Sequence, residues 1–348
     1  IMSQLSVSDL YPAYAKEVMD LGFSAQVYSS LPEGEVKAIG THNGTFHSDE
    51  ALSVPMLLLL PEYRNHVVVR TRDQNALNQC DIVVDVGGEY DPEKNHFDHH
   101  QGSFTETYDA NHKTKMSSSG LIWKHFGKRI IKEFCKRDFD EATLQMIQDR
   151  MYDGFIEEVD GVDNGVDPYT GEKNYKVTTT VSRRVSRLLP AWNEEYTKDI
   201  ENTCFRKAMA IMMSEFAEHL HHLVDVKLPA RAIVEQAMNE AKSPILILST
   251  YCPFMDFIFE LEKERGQEGY FKFVLFEGTD GMWRVRAVNL TEDSFALRQK
   301  LLPDCLGLRD EELSTRSGIE GCVFVHIAGF MGVNKTKEGA MAMAEKSL

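Results

Sequence analysis

Three short apolar runs early in the chain constrain the fold more than any other feature. Val36–Gly40, His66–Arg70 and Asp81–Val86 each centre on a near-continuous apolar stretch rather than an alternating one. Strands of this kind are typically buried on both faces, as in a parallel sheet. Residues Asp49–Leu60, between the first two runs, have the pattern of a helix. The sequence therefore predicts an α/β layer built on a buried parallel sheet.

The rest of the chain divides into a helical stretch and a second region of strands. Apolar positions at helical spacing predict helices over 118–136, 140–158, 182–189 and 194–224. After Pro229, four further runs predict strands over 245–248, 271–276, 283–289 and 322–326, and residues 335–346 a closing helix. Gly278–Gly281 predicts a hairpin turn between two of these strands.

At 348 residues, the chain is longer than one hydrophobic core usually organises. We expect four parts: an N-terminal extension over 1–34, an α/β domain over 35–190, a helical connector over 191–228, and a smaller α+β domain over 229–348. The extension would hold one short helix near Tyr11–Leu21. The longest apolar run, Val54–Leu60, is far too short to span a bilayer, so no membrane segment is expected.

Charge and cysteine content exclude several classes of protein. The 38 basic and 54 acidic residues give a net charge of −16, which excludes a dispersed cationic surface for nucleic acid. A polyanion would need a local basic patch or a bound metal. Six cysteines without a CxxC pair argue against a disulfide framework or zinc ribbon. No secretory pattern follows Ile1, and a removed targeting peptide remains open.

Histidines are concentrated in one part of the chain, where seven of the 12 fall between residues 42 and 112. Together with acids, they occupy four segments at the ends of predicted elements: Thr41–Glu50, Asp85, Asp98–His100 and Glu157–Gly165. Ligands of open α/β sheets gather at the carboxyl ends of the strands. Taken singly, each segment has a plainer interpretation as a loop histidine, a turn or a helix start. Their joint placement favours a site for two metal ions.

The mixture of imidazole and carboxylate groups indicates a particular chemistry. Two divalent ions about 3.5–4 Å apart can activate water and stabilise the leaving oxygen at phosphorus. Such mixed ligands suit Mn²⁺, Fe²⁺, Co²⁺ or Zn²⁺ better than Mg²⁺, which prefers oxygen and keeps its waters. The residues themselves therefore indicate a dimetal phosphoesterase.

The same segments carry a family resemblance. They are similar to the four motifs of the DHH phosphoesterase superfamily, which includes RecJ-type nucleases, oligoribonucleases and manganese inorganic pyrophosphatases. More closely, the chain resembles the Myg exonuclease family from about residue 36 onward. The matching segments are GTHNGTFH at 40–47, CDIVVDVGG at 80–88, DHHQ at 98–101, VDGVDNG at 159–165, TTT at 178–180 and SGIEGCVFVHIAGF at 317–330. The resemblance implies a DHH-like catalytic domain and a DHHA1-like substrate-binding domain.

The resemblance also implies the metal ligands. His42 and His47 would bind one ion, Asp49 and His99 the second, and Asp85 would bridge the two. The wider superfamily usually has an aspartate at the position of His47, so this sequence departs from the pattern there. Mn²⁺ is the favoured metal, with Zn²⁺, Fe²⁺, Co²⁺ and Mg²⁺ as alternatives.

Further roles follow from the same resemblance. Asp160 is the first choice for the last metal ligand, with Asp163 as a close rival. His100 would face the substrate or the reactive water, Asp98 would orient the histidine pair, and Arg184 would stabilise charge developing at phosphorus.

Phosphate binding needs local positive charge in so acidic a chain. The candidates are Arg184 and Arg187 after the threonine run at 178–180, Arg284 on a predicted strand, and His326 with Gly329. The resemblance favours Arg184, Arg284 and His326, which fall in motifs similar to the substrate-binding domain of DHH enzymes and its approach. The basic stretch Lys124–Arg137 is a further candidate, although a solvated helix face is the favoured interpretation of it.

The expected function is a divalent-metal-dependent phosphodiesterase that uses a two-metal-activated water. Only the phosphoesterase class follows from the residues; the resemblance implies a 3′–5′ exonuclease acting on RNA or short single-stranded oligonucleotides. A small-molecule phosphatase, acting on pyrophosphate or a dinucleotide, is the alternative, and a metal-binding scaffold without turnover is the third hypothesis. Homo-oligomerisation stays open. The resemblance implies a mitochondrial or nuclear location, with the cytoplasm as an alternative; the first 30 residues have acids and no arginine, unlike a transit peptide.

Overall fold

A computed structural model describes residues 11–292 and 294–348 of the chain. The chain divides into two compact units, one up to Leu223 and one from Val224 to Leu348. The first ten residues of the expected N-terminal extension lie outside the described residues. Among those described, no helix is long and apolar enough to cross a bilayer.

The first unit is built on a six-stranded sheet with the order β1-β3-β2-β4-β6-β5. All neighbouring strands are parallel except β5, which pairs antiparallel with β6. The strands are β1 (Val27–Tyr28), β2 (Ala38–Thr41), β3 (Val67–Arg70), β4 (Ile82–Val84), β5 (Tyr90–Asp91) and β6 (His96–Phe97). The three apolar runs thus form β2, β3 and β4, and the predicted α/β class with a parallel sheet is confirmed.

Helices surround this sheet. They are α1 (Ala13–Ser24), α2 (Ser48–Leu58), α3 (Gln74–Leu77), α4 (Ser118–Cys135), α5 (Glu141–Met151), α6 (Glu157–Asp163), α7 (Val181–Ser186) and α8 (Lys198–His221). Every residue of α2 is buried, so this helix forms the centre of the unit. A π-helical turn, Tyr152–Ile156, joins α5 to α6, so the helix predicted to end near Glu158 continues to Asp163.

Helix α8 packs against α1 and α2 within the first unit. The approach of α1 is close: a Cβ at Gly22 would lie 2.9 Å from the Met209 Cβ, so only glycine fits there. Most of the region expected as a connector is therefore part of the core of the first unit. The described part of the expected N-terminal extension packs on it.

The second unit contains a five-stranded sheet with the order β10-β11-β9-β8-β7, in which only β7 and β8 are parallel. Its strands are β7 (Ile245–Ile247), β8 (Phe273–Glu277), β9 (Trp283–Ala287), β10 (Cys322–Val325) and β11 (Met331–Asn334), and its helices are α9 (Leu228–Glu240), α10 (Met255–Glu264), α11 (Asp310–Ser317) and α12 (Lys337–Glu345). Strands β8 and β9 form the predicted hairpin, closed by the Gly278 N–H donating to the Met282 carbonyl at 2.8 Å.

Parallel pairing brings the carboxyl ends of β2, β4 and β6 to one edge of the first sheet. The loop after β2 begins with His42, β4 is followed by Asp85, and β6 by Asp98. The sheet therefore places the histidine and aspartate segments side by side.

Candidate metal centre

The turn after β4 directs an aspartate toward the other two loops. Asp85 has a positive φ of 58°, which is uncommon for a residue with a side chain, and Gly87 and Gly88 follow with φ of 101° and 70°. This left-handed turn holds the Asp85 carboxylate, which is only 1% exposed, inside the edge of the sheet.

Asp85 lies between two imidazoles. Its Oδ2 is 3.1 Å from His42 Nε2, and its Oδ1 is 3.2 Å from His99 Nε2. The ring of His42 is oriented by its other nitrogen, Nδ1, which lies 3.1 Å from the Asn43 carbonyl. Nε2 is thereby directed toward the carboxylate of Asp85. Asp85 thus occupies the position that a bridging carboxylate needs.

Two more carboxylates approach His99 from the helices. Asp163 Oδ2 lies 3.2 Å and Asp49 Oδ2 3.9 Å from His99 Nε2. Asp49 is fully buried at the start of α2, and its Oδ2 accepts a hydrogen bond from Ser118 Oγ at 2.8 Å. The other oxygen of Asp163 lies 3.8 Å from His47 Nδ1, so this aspartate lies between His99 and His47.

Burial and charge shift the protonation of these groups. Burial alone would lower the pKa of both histidines, but the neighbouring carboxylates raise the pKa of His42 to about 10 and that of His99 to about 9. Burial, followed by the charges of Asp85 and Asp163, raises the pKa of Asp49. Burial opposes ionisation of Asp85 too, but the two imidazoles lower its pKa. Positive charge is therefore strongly favoured at this site.

The polar atoms of the cluster fit a cation. Asp49 Oδ1 is buried without a hydrogen-bond partner, whereas buried polar atoms are almost always paired. Ligand atoms within 4.8 Å of one another come from four overlapping sets, which are His42-His47-Glu50, Asp49-Glu50-Asp85, Asp85-His99-His100 and His47-Asp49-Asp163. Mixed imidazole and carboxylate donors of this kind suit transition-metal ions.

His47 and His100 lie on the open side of the cluster, with side chains 54% and 58% exposed. His47 also caps α2, where its backbone N–H donates to the carboxylate of Glu50. His100 Nδ1 is 2.7 Å from Asp98 Oδ1, and Asp98 Oδ2 accepts from the Gly88 N–H at 2.6 Å. Asp98 therefore orients His100 and ties it to the turn that carries Asp85.

Asp160, predicted as the last ligand, lies elsewhere. Its Oδ1 accepts hydrogen bonds from the start of α4, including the Ser117 N–H at 3.0 Å and the Gly120 N–H at 2.9 Å, and its Oδ2 accepts from the Tyr152 hydroxyl. These partners occupy both oxygens. The rival Asp163, three residues later, contacts His99 instead, so the geometry favours Asp163 over Asp160.

Glu50 is a member of the cluster that sequence reasoning missed. It is fully buried, and its Oε1 lies 3.0 Å from His42 Nε2. Its position next to Asp49, three residues after the residue that caps the helix, is the pattern of an ordinary capping box. The capping role is confirmed by its contact with the His47 N–H. Because that role already accounts for a glutamate here, the sequence does not suggest its contact with His42.

A buried ion pair that sequence reasoning also missed holds the loop between His42 and His47. Glu201 Oε1 accepts from the Gly44 N–H at 2.8 Å, and the Arg70 guanidinium donates to the Gly44 carbonyl at 2.8 Å. Arg70, fully buried, is 2.7 Å from Glu201. The only local signal was an arginine at the end of an apolar strand.

Within the described part of the chain, the two arginines of the first unit that were predicted to bind phosphate make no hydrogen bond to the cluster. Arg184, in α7, and Arg187, just after it, are both exposed, and Arg187 donates to the Thr178 carbonyl at 3.1 Å. The helix itself is tied to the site, because Ser182 Oγ lies 2.8 Å from Ser48 Oγ at the start of α2.

The remaining predicted phosphate-binding residues belong to the second unit. Arg284 is bound to Asp280 of its own hairpin, at 2.7 and 2.9 Å, so its charge is neutralised locally. His326 packs its ring 4.3 Å from that of Phe330, and Gly329, between them, has a φ of 74° that favours glycine.

The basic stretch Lys124–Arg137 lies largely on α4, where acids pair with several of its cations. Pairs join Lys128 to Glu141, Arg129 to Glu62, Lys132 to Asp138 and Lys136 to Glu17. This neutralisation favours the solvated-face interpretation.

Comparison with known proteins identifies the family. The sequence model of an uncharacterised protein family, UPF0160, matches residues 38–348. The MYG1 protein of Dictyostelium discoideum is 46% identical over 317 residues, covering 89% of this chain and 96% of that protein. The MYG1 exonuclease of Homo sapiens is 43% identical over 322 residues, covering 89% and 85%. No solved structure gives a significant match. Its relatives are named MYG1 proteins or MYG1 exonucleases. The chain therefore belongs to the UPF0160 family.

Proposed function

We propose that this protein is a divalent-metal-dependent phosphodiesterase that acts as a 3′–5′ exonuclease on RNA or short single-stranded oligonucleotides. The observation that carries the proposal is the convergence of buried imidazoles and carboxylates around Asp85, with one oxygen of Asp49 left unpaired. The exonuclease names of relatives covering most of the chain support a nuclease. Polarity and RNA preference rest on the resemblance to the Myg exonuclease family.

The proposed ligands form two groups. His42, His47 and Glu50 would hold one ion and Asp49, His99 and Asp163 the other, with Asp85 between the groups. Mn²⁺ is the first choice. Divalent ions bound there would lower the pKa of water and neutralise charge at phosphorus.

His100 is the residue best placed to handle a proton. Asp98 holds its Nδ1, so Nε2 faces the open side of the cluster, and the hydrogen bond to Asp98 raises the pKa of His100. A histidine in this state can donate a proton to a leaving oxygen. Arg184, exposed on the helix tied to Ser48, is retained as the candidate for binding substrate charge.

Site variants test the proposal. Asp85→Asn and His99→Ala should each abolish Mn²⁺-dependent hydrolysis of end-labelled RNA while the circular dichroism spectrum stays unchanged. His112→Ala is the matched control, because it removes a histidine paired with two carboxylates outside the cluster. Turnover retained in both cluster variants would contradict the proposal.

Substrate comparison separates the proposed nuclease from the small-molecule alternative. Turnover should be highest on single-stranded RNA, lower on a dinucleotide and lowest on pyrophosphate. The reverse order would assign the same centre to a small-molecule phosphatase.

A further inference from the structure

The connection between α6 and α8 has the opposite charge character from the rest of the chain. Residues 166–187, here called the basic segment, contain five basic and two acidic residues, a net charge of +3 in a chain of −16. The acids are Asp167 and Glu172, and the bases are Lys173, Lys176, Arg183, Arg184 and Arg187. A local cationic stretch on an acidic protein selects for an anionic partner.

Three contacts anchor this connection to the candidate metal centre. At its start, Asp163 ends α6 and lies 3.2 Å from His99 Nε2. In its middle, the hydroxyl of Ser182 is 2.8 Å from that of Ser48. At its end, the Tyr196 hydroxyl donates to Glu201, the residue that holds the loop beside His42. The connection is therefore anchored on both sides of the basic segment and, at Ser182, within it.

One of these anchors lies next to an accessible histidine of the centre. Asp163 also approaches His47, which is half-exposed, whereas the inner ligands are buried. The exposed imidazole of His47 therefore lies next to the residue at which the connection begins.

Aromatic side chains alternate with the cations in the basic segment. Every residue from 165 to 179 is exposed, and Tyr175 is exposed to 76%. Lys173 pairs with Asp167 and lies over the ring of Tyr169. Across the described residues, no ion pair involves Lys176, Arg183 or Arg184, so three cations remain available.

We propose that the basic segment is a binding track for single-stranded RNA, in which Lys176 and Arg183 contact backbone phosphates and Tyr175 stacks on a base. Exposed cations interleaved with aromatic rings are the usual means of gripping a single strand without reading its sequence. Anchoring to the centre would place the bound strand beside the phosphodiester to be cleaved. This inference rests on the proposed phosphodiesterase function and names the surface that holds its substrate.

Direct binding tests the track. The triple variant Tyr175→Ala, Lys176→Gln, Arg183→Gln should bind a phosphorothioate-protected RNA of about 12 nucleotides about tenfold more weakly, by fluorescence anisotropy. Its salt dependence should become shallower by about 1.4, since each lost phosphate contact removes about 0.7 from the slope. The control Tyr28→Ala, Lys136→Gln, Arg129→Gln makes the same chemical changes on exposed side chains elsewhere. A triple variant that binds RNA as tightly as the control would overturn the inference.

Two further experiments distinguish base stacking from charge, and the binding track from the metal centre. Tyr175→Ala alone should weaken RNA binding but not polyphosphate binding; an equal loss for both would overturn the stacking role. Hydrolysis of bis(p-nitrophenyl) phosphate by the wild-type protein tests the centre without a strand. If the wild-type protein hydrolyses this ester and the triple variant still binds RNA normally, the binding track is refuted but the phosphodiesterase function is supported. RNA binding lost in the triple variant, without ester turnover by any divalent ion, would support the track and refute the proposed function.

Discussion

Two groups of histidine and carboxylate in the first unit differ in how their polar atoms are satisfied. In the outer group, both nitrogens of His112 are paired, with Asp109 at 2.7 Å and Asp153 at 2.8 Å, and these carboxylates are 42% and 60% exposed. In the candidate metal centre, Asp49 and Asp85 are buried, and Asp49 Oδ1 has no hydrogen-bond partner.

The difference shows what separates a ligand set from an ion pair. Exposed carboxylates are stabilised by water, so the His112 group is complete without a cation. Buried carboxylates lose that hydration, and leaving them unpaired is costly. The same residue types therefore form a solvated ion pair when exposed and a candidate metal site when buried.

The largest expected effect comes from removing a buried ligand. Asp49→Asn should weaken Mn²⁺ binding by at least about 100-fold, since even residues that only support metal ligands account for 10–100-fold. Asp153→Asn, in the outer group, should leave the affinity within about twofold. Isothermal titration of both variants measures this; equal losses would erase the distinction between the two groups.

A second prediction concerns the ion pair that supports the centre. Glu201→Gln should destabilise the protein by about 3 kcal/mol, because Arg70 is left buried without its counter-charge. It should also weaken metal binding, because the amide oxygen of glutamine is a weaker acceptor than the carboxylate for the Gly44 N–H. Chemical denaturation and metal titration provide the two readouts. The exposed pair Lys136–Glu17 is the control, and Glu17→Gln should cost less than about 1 kcal/mol.

Asp163 and Asp160 provide a third comparison. Asp163→Asn should weaken metal binding about tenfold with little change in stability, because its carboxylate approaches His99 and His47. Asp160→Asn should do the reverse and cost about 2 kcal/mol, because its oxygens cap α4. Metal titration and thermal denaturation of both variants measure these effects. Loss of metal affinity in Asp160→Asn alone would contradict the choice of Asp163 as the ligand.

The smallest expected effect is on pH dependence. The folded pKa values of His42 and His99, about 10 and 9, lie above the ordinary value of 6.5. Their contribution to the stability of the metal-free protein is therefore fully present below about pH 6.5 and lost as the pH rises through 9 and 10. The melting temperature of chelator-treated protein should fall between pH 7 and 10. Mn²⁺ should reduce that fall, because the ion replaces the protons; a flat profile without metal would contradict it.

Local pattern was enough to predict the sheet and the loops that carry the ligands. Apolar runs mark β2, β3 and β4, and parallel strands necessarily align their carboxyl ends, so His42 and Asp85 could be placed together. Strand β11 was missed, because Gly332 and Asn334 disfavour strands. A Cβ at Gly332 would lie 2.5 Å from Leu301 Cδ2, so a larger residue there would displace that buried side chain.

Residues that depend on long-range contacts or helical phase could not be predicted. Glu201 reaches Gly44 across 157 positions, and no local pattern connects them. The choice between Asp160 and Asp163 depends on which face of α6 meets the cluster. The π-helical turn Tyr152–Ile156 shifts that face, and a sequence pattern with ordinary helical spacing does not reveal it.

Anomalous diffraction from a Mn²⁺-soaked crystal would show whether metal ions bind on both sides of Asp85. We expect two manganese peaks flanking the Asp85 carboxylate, one beside His42 and the other beside His99. A crystal with no peak at Asp85, or with manganese bound only between His112 and Asp153, would contradict this expectation.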